Sequence, residues 1–255
     1  MAFLRGIFLS RTHSSHMSAK YLRKQFSAIP PTGSGYVDNW FREVIKSKTF
    51  YERHALEHRY FYNIDLEGRL YLEETYPKNI ATSFKNEKFL NFFFRRLRYA
   101  NEEDWARLGD DDLVVRGDYP FVSPCGRELN YVRPVDTPIV FHNIRSTSNT
   151  QSKDQLELVF GASLCQPFQP DSLYFSKQNY RIYHSIKRNE IGDNEPGQEK
   201  EIEFGLLSSS MVMSLSNKFQ SSSCGEIMEF IAKDGSIHIM KELSTDHDNG
   251  SWGMR

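Results

Sequence analysis

The stretch of sequence from residue 60 to residue 141 constrains the fold most. Its apolar residues alternate as in β-strands, then recur at helical spacing, and then alternate again, so the stretch predicts one continuous folding unit. Two runs at residues 59–65 and 69–74 flank a glycine-containing turn and predict a β-hairpin. Residues 86–98 then carry apolar side chains at helical spacing, with Asn86 placed to cap the helix. The side chains expected on its buried face are Phe89, Leu90, Phe93, Phe94 and Leu97. The pattern predicts a hairpin packed against an aromatic helix.

The rest of the chain predicts mainly short strands joined by polar loops. Strands are expected at residues 119–123, 128–133, 138–144, 156–160, 173–175 and 180–186, with a closing hairpin at 229–232 and 236–240. Helices are expected at residues 37–56 and from about residue 206 to 219, and polar loops at 101–113 and 190–201. This order favours an α+β fold, mostly antiparallel β with a few packed helices, in which two β lobes share one core.

Composition divides the chain into three segments. Residues 1–35 are expected to be a leader and a Pro- and Gly-containing linker, residues 36–243 a single globular domain, and residues 244–255 a disordered tail. The first 26 residues hold five of the 32 basic residues and none of the 33 acidic ones. A basic, Ser-rich and acid-free start is typical of a mitochondrial transit peptide, because the membrane potential draws positive charge inward. The sequence therefore predicts the mitochondrial matrix, with an untargeted basic tail as the alternative.

The body that follows the leader is mildly acidic, so binding to nucleic acid through neutralised phosphates is not expected. No run of apolar residues approaches the roughly 18 needed to span a membrane. The three cysteines (Cys125, Cys165 and Cys224) have no paired spacing. Neither a disulfide framework nor a zinc site is predicted. The composition indicates a soluble, aromatic-rich domain in a reducing compartment; its oligomeric state is left open.

A group of arginines is the candidate binding site. Its members are Arg95, Arg96, Arg98, Arg127 and Arg133. Guanidinium groups suit the bidentate capture of a carboxylate or phosphate. The favoured function is therefore a non-catalytic protein that binds an anionic small molecule or an acidic protein partner. The alternative is that the helix arginines are solvated and that Arg127 pairs with a neighbouring acid such as Glu128.

A small enzyme is the competing hypothesis. Cys125 lies beside Arg127, whose charge would favour a thiolate, and His142 or His184 could serve as its base. The alternative for Cys125 is a buried structural residue in a tight turn. His54 and His58 have the spacing of an inverted zinc-protease motif, but we expect the helix to end between them and predict no metal and no cofactor.

Single-stranded RNA binding is a third hypothesis. Tyr60, Tyr62 and Tyr71 lie on the predicted hairpin and could stack on bases. Half-buried aromatic residues on strands are more commonly part of a core, so this reading stands as an alternative.

The central stretch resembles a known family. The residues that carry the resemblance are Tyr60-Phe61-Tyr62, Asp65, Gly68-Arg69-Leu70, Phe84, Phe89-Leu90, Phe93-Phe94, Arg96-Leu97-Arg98, Pro120-Phe121, Ser123, Cys125-Gly126-Arg127-Glu128, Pro138 and Val140-Phe141. They are similar to uncharacterised protein family 0598, also called domain of unknown function 4505, from about residue 58 to 144 and more thinly to about 243. The resemblance implies a mitochondrial protein and supplies no catalytic residue. The order of elements is also similar to domain of unknown function 1285, which favours a mostly antiparallel β architecture.

Overall fold

The computed structural model of the protein describes residues 45–109, 118–147, 155–186, 202–221, 228–246 and 251–254. The helices are α1 (Lys48–Leu56), α2 (Glu87–Arg95), α3 (Glu102–Ala106) and α4 (Ser209–Ser214), with single 3-10 turns at Pro170–Ser172 and Ser216–Lys218. The predicted leader, residues 1–35, and the predicted loop at 190–201 lie outside the described residues. No helix in the described ranges is long and apolar enough to cross a membrane.

The first sheet has five strands and is mixed. Its strands are β1 (Arg59–Ile64), β2 (Leu70–Leu72), β3 (Arg98–Tyr99), β4 (Phe121–Cys125) and β5 (Glu128–Pro134). Their order is β2-β1-β5-β4-β3. β1 and β2 form the predicted antiparallel hairpin, whereas β1 and β5 are parallel, with Phe61 opposite Tyr131. The long connection between β1 and β5 carries α2 and α3, as a parallel crossover requires.

Both faces of the first sheet are buried, because successive side chains of a strand point to opposite sides. On β1, Tyr62 faces the core beneath α2, where its ring lies 5.2 Å from that of Phe93. Phe61 faces the second core beneath α1, with its ring 6.0 Å from that of Tyr51. The sheet therefore separates α1 and α2 and fixes which side chains each helix presents to solvent.

The second lobe contains one sheet of six strands and two of three. Its strands are β6 (Val140–Phe141), β7 (Asn143–Thr147), β8 (Gln155–Phe160), β9 (Leu164–Pro167), β10 (Leu173–Ser176), β11 (Arg181–Ser185), β12 (Phe204–Leu207), β13 (Phe219–Ser221), β14 (Met228–Ile231), β15 (Ile237–Ile239), β16 (Lys241–Asp246) and β17 (Ser251–Met254). The orders are β17-β16-β10-β11-β12-β6, β13-β14-β15 and β7-β8-β9. Most of the pairs are antiparallel, so the predicted α+β fold is confirmed.

One hydrophobic core joins the two lobes. It contains Phe93 of α2, Val132 of the first sheet and Leu206 of the second sheet in a single cluster of buried side chains. Phe160 of β8 belongs to the same cluster, and its ring lies 5.9 Å from that of Phe141. The prediction of two β lobes sharing a core is therefore confirmed.

Several predicted boundaries differ from those of the structure. α1 begins only at Lys48, because the Ser47 hydroxyl accepts a hydrogen bond from the Phe50 amide and caps the helix. Residues 37–44 of the predicted helix lie outside the described residues. α3 lies within the predicted loop at 101–113, where Asn101 and Asp104 form a reciprocal capping box.

The C-terminal part also differs from its predictions. The helix expected from residue 206 is a strand to Leu207, after which the Ser208 hydroxyl caps the short α4. In the segment predicted to be a disordered tail, β16 and β17 pair as antiparallel strands.

Candidate functional site

Arg98, one of the five candidate arginines, lies in an internal ion pair. Its Nη1 donates to Oδ2 of Asp104 at 2.5 Å, and its Nη2 donates to Oδ1 at 2.9 Å. It also donates to the carbonyl of Tyr99 at 3.0 Å. A bidentate pair of this kind neutralises the guanidinium within the chain and holds α3 against β3. Arg98 is therefore an anchor of the fold.

Arg133 is also buried and forms its ion pair within the fold. It lies on β5 with 8% of its surface exposed, and its Nη2 is 2.7 Å from Oδ2 of Asp118. Its guanidinium lies over the ring of Tyr119, 4.8 Å from the centroid. The sheet thus directs Arg133 into the core beneath α1, whereas α2 covers the opposite face. The five arginines do not converge on one pocket.

The remaining three arginines are exposed around α2. Arg95 and Arg96 end the helix. Arg127 lies in the turn between β4 and β5, two residues after Cys125, and Arg96 is close enough to that thiol for its charge to oppose the rise in the thiol pKa caused by burial. Lys88 and Phe92 precede Arg96 at intervals of four residues and therefore share its helix face. The Arg96 guanidinium lies over the Phe92 ring, 4.7 Å from its centroid, and Phe92 is 43% exposed. We refer to Lys88, Phe92, Arg95, Arg96 and Arg127 as the basic face.

The flank of α2 is tied to the second lobe by hydrogen bonds. The Asn91 side chain accepts the amide of Ser163 at 3.0 Å and donates to its hydroxyl at 2.8 Å. The same hydroxyl donates to Oε1 of Glu87 at 2.8 Å. Ser123 adds a bond to the carbonyl of Phe93 at 2.8 Å, which ties the helix to β4. These bonds orient α2 so that the basic face points to solvent.

Cys125 is half-buried at the end of β4. Burial raises the pKa of its thiol, while the hydrogen bonds with Ser123 and Asn130 and the nearby charge of Arg96 act in the opposite direction. The thiol form is therefore favoured at neutral pH. A nucleophilic cysteine needs the reverse, an accessible thiolate.

We expect Cys125 to alkylate slowly, at least about tenfold slower than a free cysteine at neutral pH, because burial limits both access and thiolate. The measurement is iodoacetamide labelling of a Cys165→Ser/Cys224→Ser variant followed by mass spectrometry. Labelling in guanidinium chloride serves as the control for full reactivity. Rapid labelling of the folded variant would restore the cysteine-enzyme hypothesis.

The two candidate histidines make hydrogen bonds to the backbone. His142 Nε2 is 3.2 Å from the carbonyl of Gly161, and burial lowers the pKa of its ring. His184 is fully buried on β11, with Nδ1 2.6 Å from the carbonyl of Ser185 and Nε2 3.0 Å from the amide of Gln169. Both nitrogens of His184 are engaged by the backbone, so its ring supports the second lobe.

The tyrosines of the hairpin are largely inside the fold. Tyr62 is 5% exposed and Tyr71 is 1% exposed, while Tyr60 is partly buried against the main core. The Tyr71 hydroxyl donates to Asp65 at 3.1 Å. Stacking on bases requires exposed rings, so this hairpin offers no such surface at Tyr62 or Tyr71.

The histidines of the inverted zinc-protease motif are separated as expected. α1 ends at Leu56, between the two residues, which confirms that predicted boundary. His54 is fully buried, with its ring 5.2 Å from that of Phe61, whereas His58 is exposed and has a positive φ of 57°. No group of three or more potential metal-ligating His, Cys, Asp or Glu side chains comes together in the part of the chain that the structure describes.

A buried polar cluster around Glu73 was not predicted. Glu73 follows β2 and is fully buried, and its Oε1 accepts the hydroxyls of Tyr119 at 2.5 Å and Tyr51 at 2.9 Å. Its Oε2 lies 3.8 Å from Nε of Arg133, which supplies a compensating charge. Lys46 and Arg133 both pair with Asp118. The cluster joins α1, β2 and β5 beneath the sheet.

Lys78 lies beside this cluster. Its ammonium donates to the carbonyls of Glu73 and Thr75, at 2.8 Å in each case. Burial lowers the pKa of Lys78 to about 8, against the attraction of the Glu73 charge. The ammonium of Lys78 therefore stabilises the loop after β2 and places a polar group beside the buried Glu73.

A second buried ion pair lies between the lobes. Asp136, just after β5, pairs with Arg181 on β11, and their side chains are 2% and 9% exposed. Tyr183 donates its hydroxyl to the same carboxylate oxygen at 2.9 Å. Burial raises the pKa of Asp136, opposed by the charge and hydrogen bond of Arg181. The pair fixes the end of the first sheet to the second.

Comparison with known proteins identifies the family. A family model described as "Domain of unknown function (DUF4505)" matches residues 52–243, most of the chain. The chain belongs to this family. The resemblance inferred from the central stretch is therefore confirmed for DUF4505. The family description names no activity.

Two solved structures are similar to this DUF4505 chain. One is a DUF1285 family protein from Silicibacter pomeroyi DSS-3, at 13% identity and a TM-score of 0.37, covering 83% of this chain and 96% of that one. The other is a DUF1285 family protein from Shewanella baltica OS155, at 13% identity and a TM-score of 0.36, covering 63% of this chain and 94% of that one.

Two shallow clefts lie on the DUF4505 domain away from the basic face. One, of about 160 Å³, is bounded by α1, β1 and β2. The other, of about 190 Å³, lies between α4 and the turn before β11, where the exposed Tyr180 has a positive φ of 57°. Neither includes Cys125 or an arginine of the basic face.

Three hydrogen-bonded side chains at the closing hairpin follow the Asp–His–Ser order of a serine-hydrolase triad. His238 Nδ1 is 2.7 Å from Asp171, and its Nε2 is 2.9 Å from the Ser236 hydroxyl. Asp234 also lies 2.7 Å from that hydroxyl and competes for its proton. Because the Asp171 side chain is 86% exposed, solvent screens its charge. These hydrogen bonds connect the closing hairpin to the 3-10 turn at Pro170–Ser172.

Proposed function

We propose that this DUF4505 protein is a non-catalytic binding protein whose basic face takes an acidic protein surface. The observation that carries the proposal is the separation of the arginines into two internal anchors, Arg98 and Arg133, and three exposed groups around α2. Among the described residues, no carboxylate forms an ion pair with the four cations of the basic face. Their charge is available to a partner.

The shape of the basic face favours a protein partner over a small molecule. The exposed side of a helix is convex, whereas sites for small molecules are concave. Arginine and aromatic residues are enriched at protein interfaces, and Phe92 with Arg96 supplies that combination. The hydrogen bonds of Glu87 and Asn91 to Ser163 hold the helix in place, so little ordering is required on binding.

Charge reversal on this face should weaken binding strongly. We expect the variant Arg96→Glu/Arg127→Glu to bind an acidic peptide about 30-fold more weakly, equivalent to roughly 2 kcal/mol, because two attractions become repulsions. The probe is a fluorescein-labelled peptide rich in Asp and Glu with one Leu, measured by fluorescence anisotropy. A peptide with Asn and Gln in place of the acids is the matched ligand control.

The protein control is Lys48→Glu/Lys233→Glu, which makes the same change of charge on exposed residues elsewhere. It should retain binding, and both variants should keep the thermal melting temperature of the parent. Equal losses in the two variants would mean that overall charge, and not the basic face, governs the interaction. A labelled oligouridine that competes better than the acidic peptide would replace the proposal with RNA binding.

We also propose that the protein works in the mitochondrial matrix. Support comes from the acid-free basic leader, whose charge a membrane potential would draw inward. N-terminal sequencing of the native protein from fractionated mitochondria should begin well after Met1, because the leader is removed. Recovery of an intact N-terminus from cytosol would contradict this localisation.

A further inference from the structure

The exposed side of α2 presents a straight line of side chains along the helix axis. Lys88, Phe92 and Arg96 follow one another at intervals of four residues, and all three are exposed. Because an α-helix rises about 1.5 Å per residue, the line is about 12 Å long, with a cation at each end and a ring between them. The Arg96 guanidinium lies over that ring, 4.7 Å from its centroid. We refer to these three residues as the α2 ridge.

The sides of α2 that flank the ridge are occupied by the fold. Phe93 packs in the main core, while Glu87 and Asn91 form hydrogen bonds with Ser163 of the second lobe. Glu87, the acidic residue of the first turn, is thus engaged by Ser163. In the described part of the chain, no carboxylate pairs with Lys88. A partner therefore meets a ridge that is fixed in place and positively charged at both ends.

The charge of the basic face is unevenly distributed along α2. The first turn contributes Lys88. β4 is tied to the other end of the helix, where the Ser123 hydroxyl donates to the carbonyl of Phe93 at 2.8 Å, and the turn after β4 carries a further arginine. The cations at this C-terminal end are Arg95, Arg96 and Arg127. A partner that matches the basic face must concentrate its acidic groups at one end of the contact.

The helix dipole relates this uneven charge to the direction of a bound helix. Asp and Glu are most stabilising in the first turn of a helix, where the dipole is positive. If that acidic first turn lies at the C-terminal end of α2, its carboxylates meet the three arginines, and the dipoles of the two helices point in opposite directions. Both interactions are favourable. A helix also brings grooves between its own rows of side chains, into which a ridge of four-residue spacing packs.

An extended acidic segment fits the ridge less well. Such a segment gains affinity chiefly by hydrogen bonding to an open sheet edge. The ridge is the side of a helix, whose backbone groups are already bonded within the helix. An extended segment packed there would leave some of its own backbone groups without partners, whereas a helix satisfies them internally.

We propose that the partner of the basic face is an acidic amphipathic helix that packs antiparallel to α2 along the ridge. Its first turn carries carboxylates that face Arg95, Arg96 and Arg127. One turn later an apolar side chain packs on Phe92, and a further turn on a carboxylate faces Lys88. This assignment rests on the proposed function and adds to it the secondary structure and the direction of the bound segment.

Three peptides of one composition test this geometry. Each carries a fluorescein label, is held helical by a side-chain lactam bridge, and is titrated by fluorescence anisotropy. The first has two acids in its first turn, Leu one turn later and one acid a turn beyond. The second has this order reversed along the helix, and the third distributes the same groups around it. Because net charge and helicity are matched, the first should bind at least about tenfold more tightly than the others only if its order fits the ridge.

The outcomes separate this inference from the proposed function. If all three peptides bind equally and Arg96→Glu/Arg127→Glu removes the binding, the helical geometry is wrong while the acidic partner stands. Tighter binding of the reversed peptide contradicts the antiparallel direction. Binding of the flexible acidic peptide but of no lactam-bridged one also overturns the helix. If neither the flexible peptide nor any helical one binds, the proposed function fails as well.

Exchange of charges locates the two ends of the bound helix. Lys88→Glu should weaken the first peptide about fivefold or more, because an attraction becomes a repulsion, and a Lys in place of the last acid of the peptide should restore binding. Arg96→Glu should be rescued instead by a Lys in the first turn of the peptide. Lys48→Glu on α1, on the opposite side of the sheet, is the matched control and should leave binding unchanged. Thermal melts should match the parent in all three variants. Rescue at the opposite ends, or at neither end, would contradict the assignment.

Discussion

The substitution Asp136→Asn is expected to lower the free energy of unfolding by about 3–5 kcal/mol, because it leaves the guanidinium of Arg181 buried beside a neutral amide. The Arg181 side chain is 9% exposed and pairs with Asp136, whose carboxylate also accepts the Tyr183 hydroxyl. Both partners of the carboxylate lie on β11, whereas Asp136 follows β5. The loss should therefore weaken the connection between the two lobes.

Urea unfolding followed by circular dichroism measures this effect. Asp171→Asn removes an exposed carboxylate and should change the free energy of unfolding by no more than about 0.5 kcal/mol. The double variant Asp136→Leu/Arg181→Met removes both charges and should recover part of the loss, since no buried charge is left unpaired. A single variant as stable as the parent would show that the ion pair is not desolvated in solution.

Phe93→Ala is expected to cost about 3–5 kcal/mol of stability, through lost burial and the cavity that remains. Phe93 is fully buried on α2, and its ring contacts those of Tyr62, Phe89 and Phe94. It belongs to the cluster that includes Leu206 of the second sheet. The variant should still unfold in a single transition, because both lobes depend on this core.

The neighbouring residue supplies the control for this prediction. Phe92→Ala replaces a side chain that is 43% exposed on the same helix and should change the stability much less. Within each variant, tryptophan fluorescence and circular dichroism should report the same unfolding midpoint. Separate transitions for the two probes would mean that the lobes have independent cores.

Local sequence signals predicted the hairpin and α2 well. Gly68 adopts a φ of 77° in the β1–β2 turn, where a glycine is favoured, and Asn86 accepts the Phe89 amide at the start of α2. The helical spacing of its aromatic residues was sufficient to identify Leu90, Phe93 and Phe94 as buried. These features depend on interactions within a few residues, which a sequence displays directly.

Whether each arginine is buried or exposed depends partly on contacts between residues that are distant in sequence. Arg133 meets Glu73 only because β1 and β5 are parallel, and no local pattern encodes that pairing. Arg98 was more accessible to prediction, since Asn101 and Asp104 have the spacing of a capping box and Asp104 lies six residues away. The clustering of arginines in sequence therefore identified the region but overstated the number available to a ligand.

The cluster around Glu73 also had no sequence signature. Its carboxylate receives hydroxyls from Tyr51 and Tyr119, which lie 22 and 46 residues away. Each of these residues belongs to a different part of the chain, and each is of a type that is common on surfaces or half-buried strands. Only the packing of α1 against the first sheet brings them together.

Site-specific photo-crosslinking tests the proposed function most directly. A photoreactive phenylalanine at Phe92, on the basic face, should capture a partner in intact mitochondria, and mass spectrometry should place the crosslink in an acidic segment. The same group at Tyr180, an aromatic position that is more exposed than Phe92 and lies away from that face, should not capture it. Adding Arg96→Glu to the Phe92 variant should remove the product. Capture of the same protein from both positions, or capture that survives Arg96→Glu, would contradict binding through the basic face.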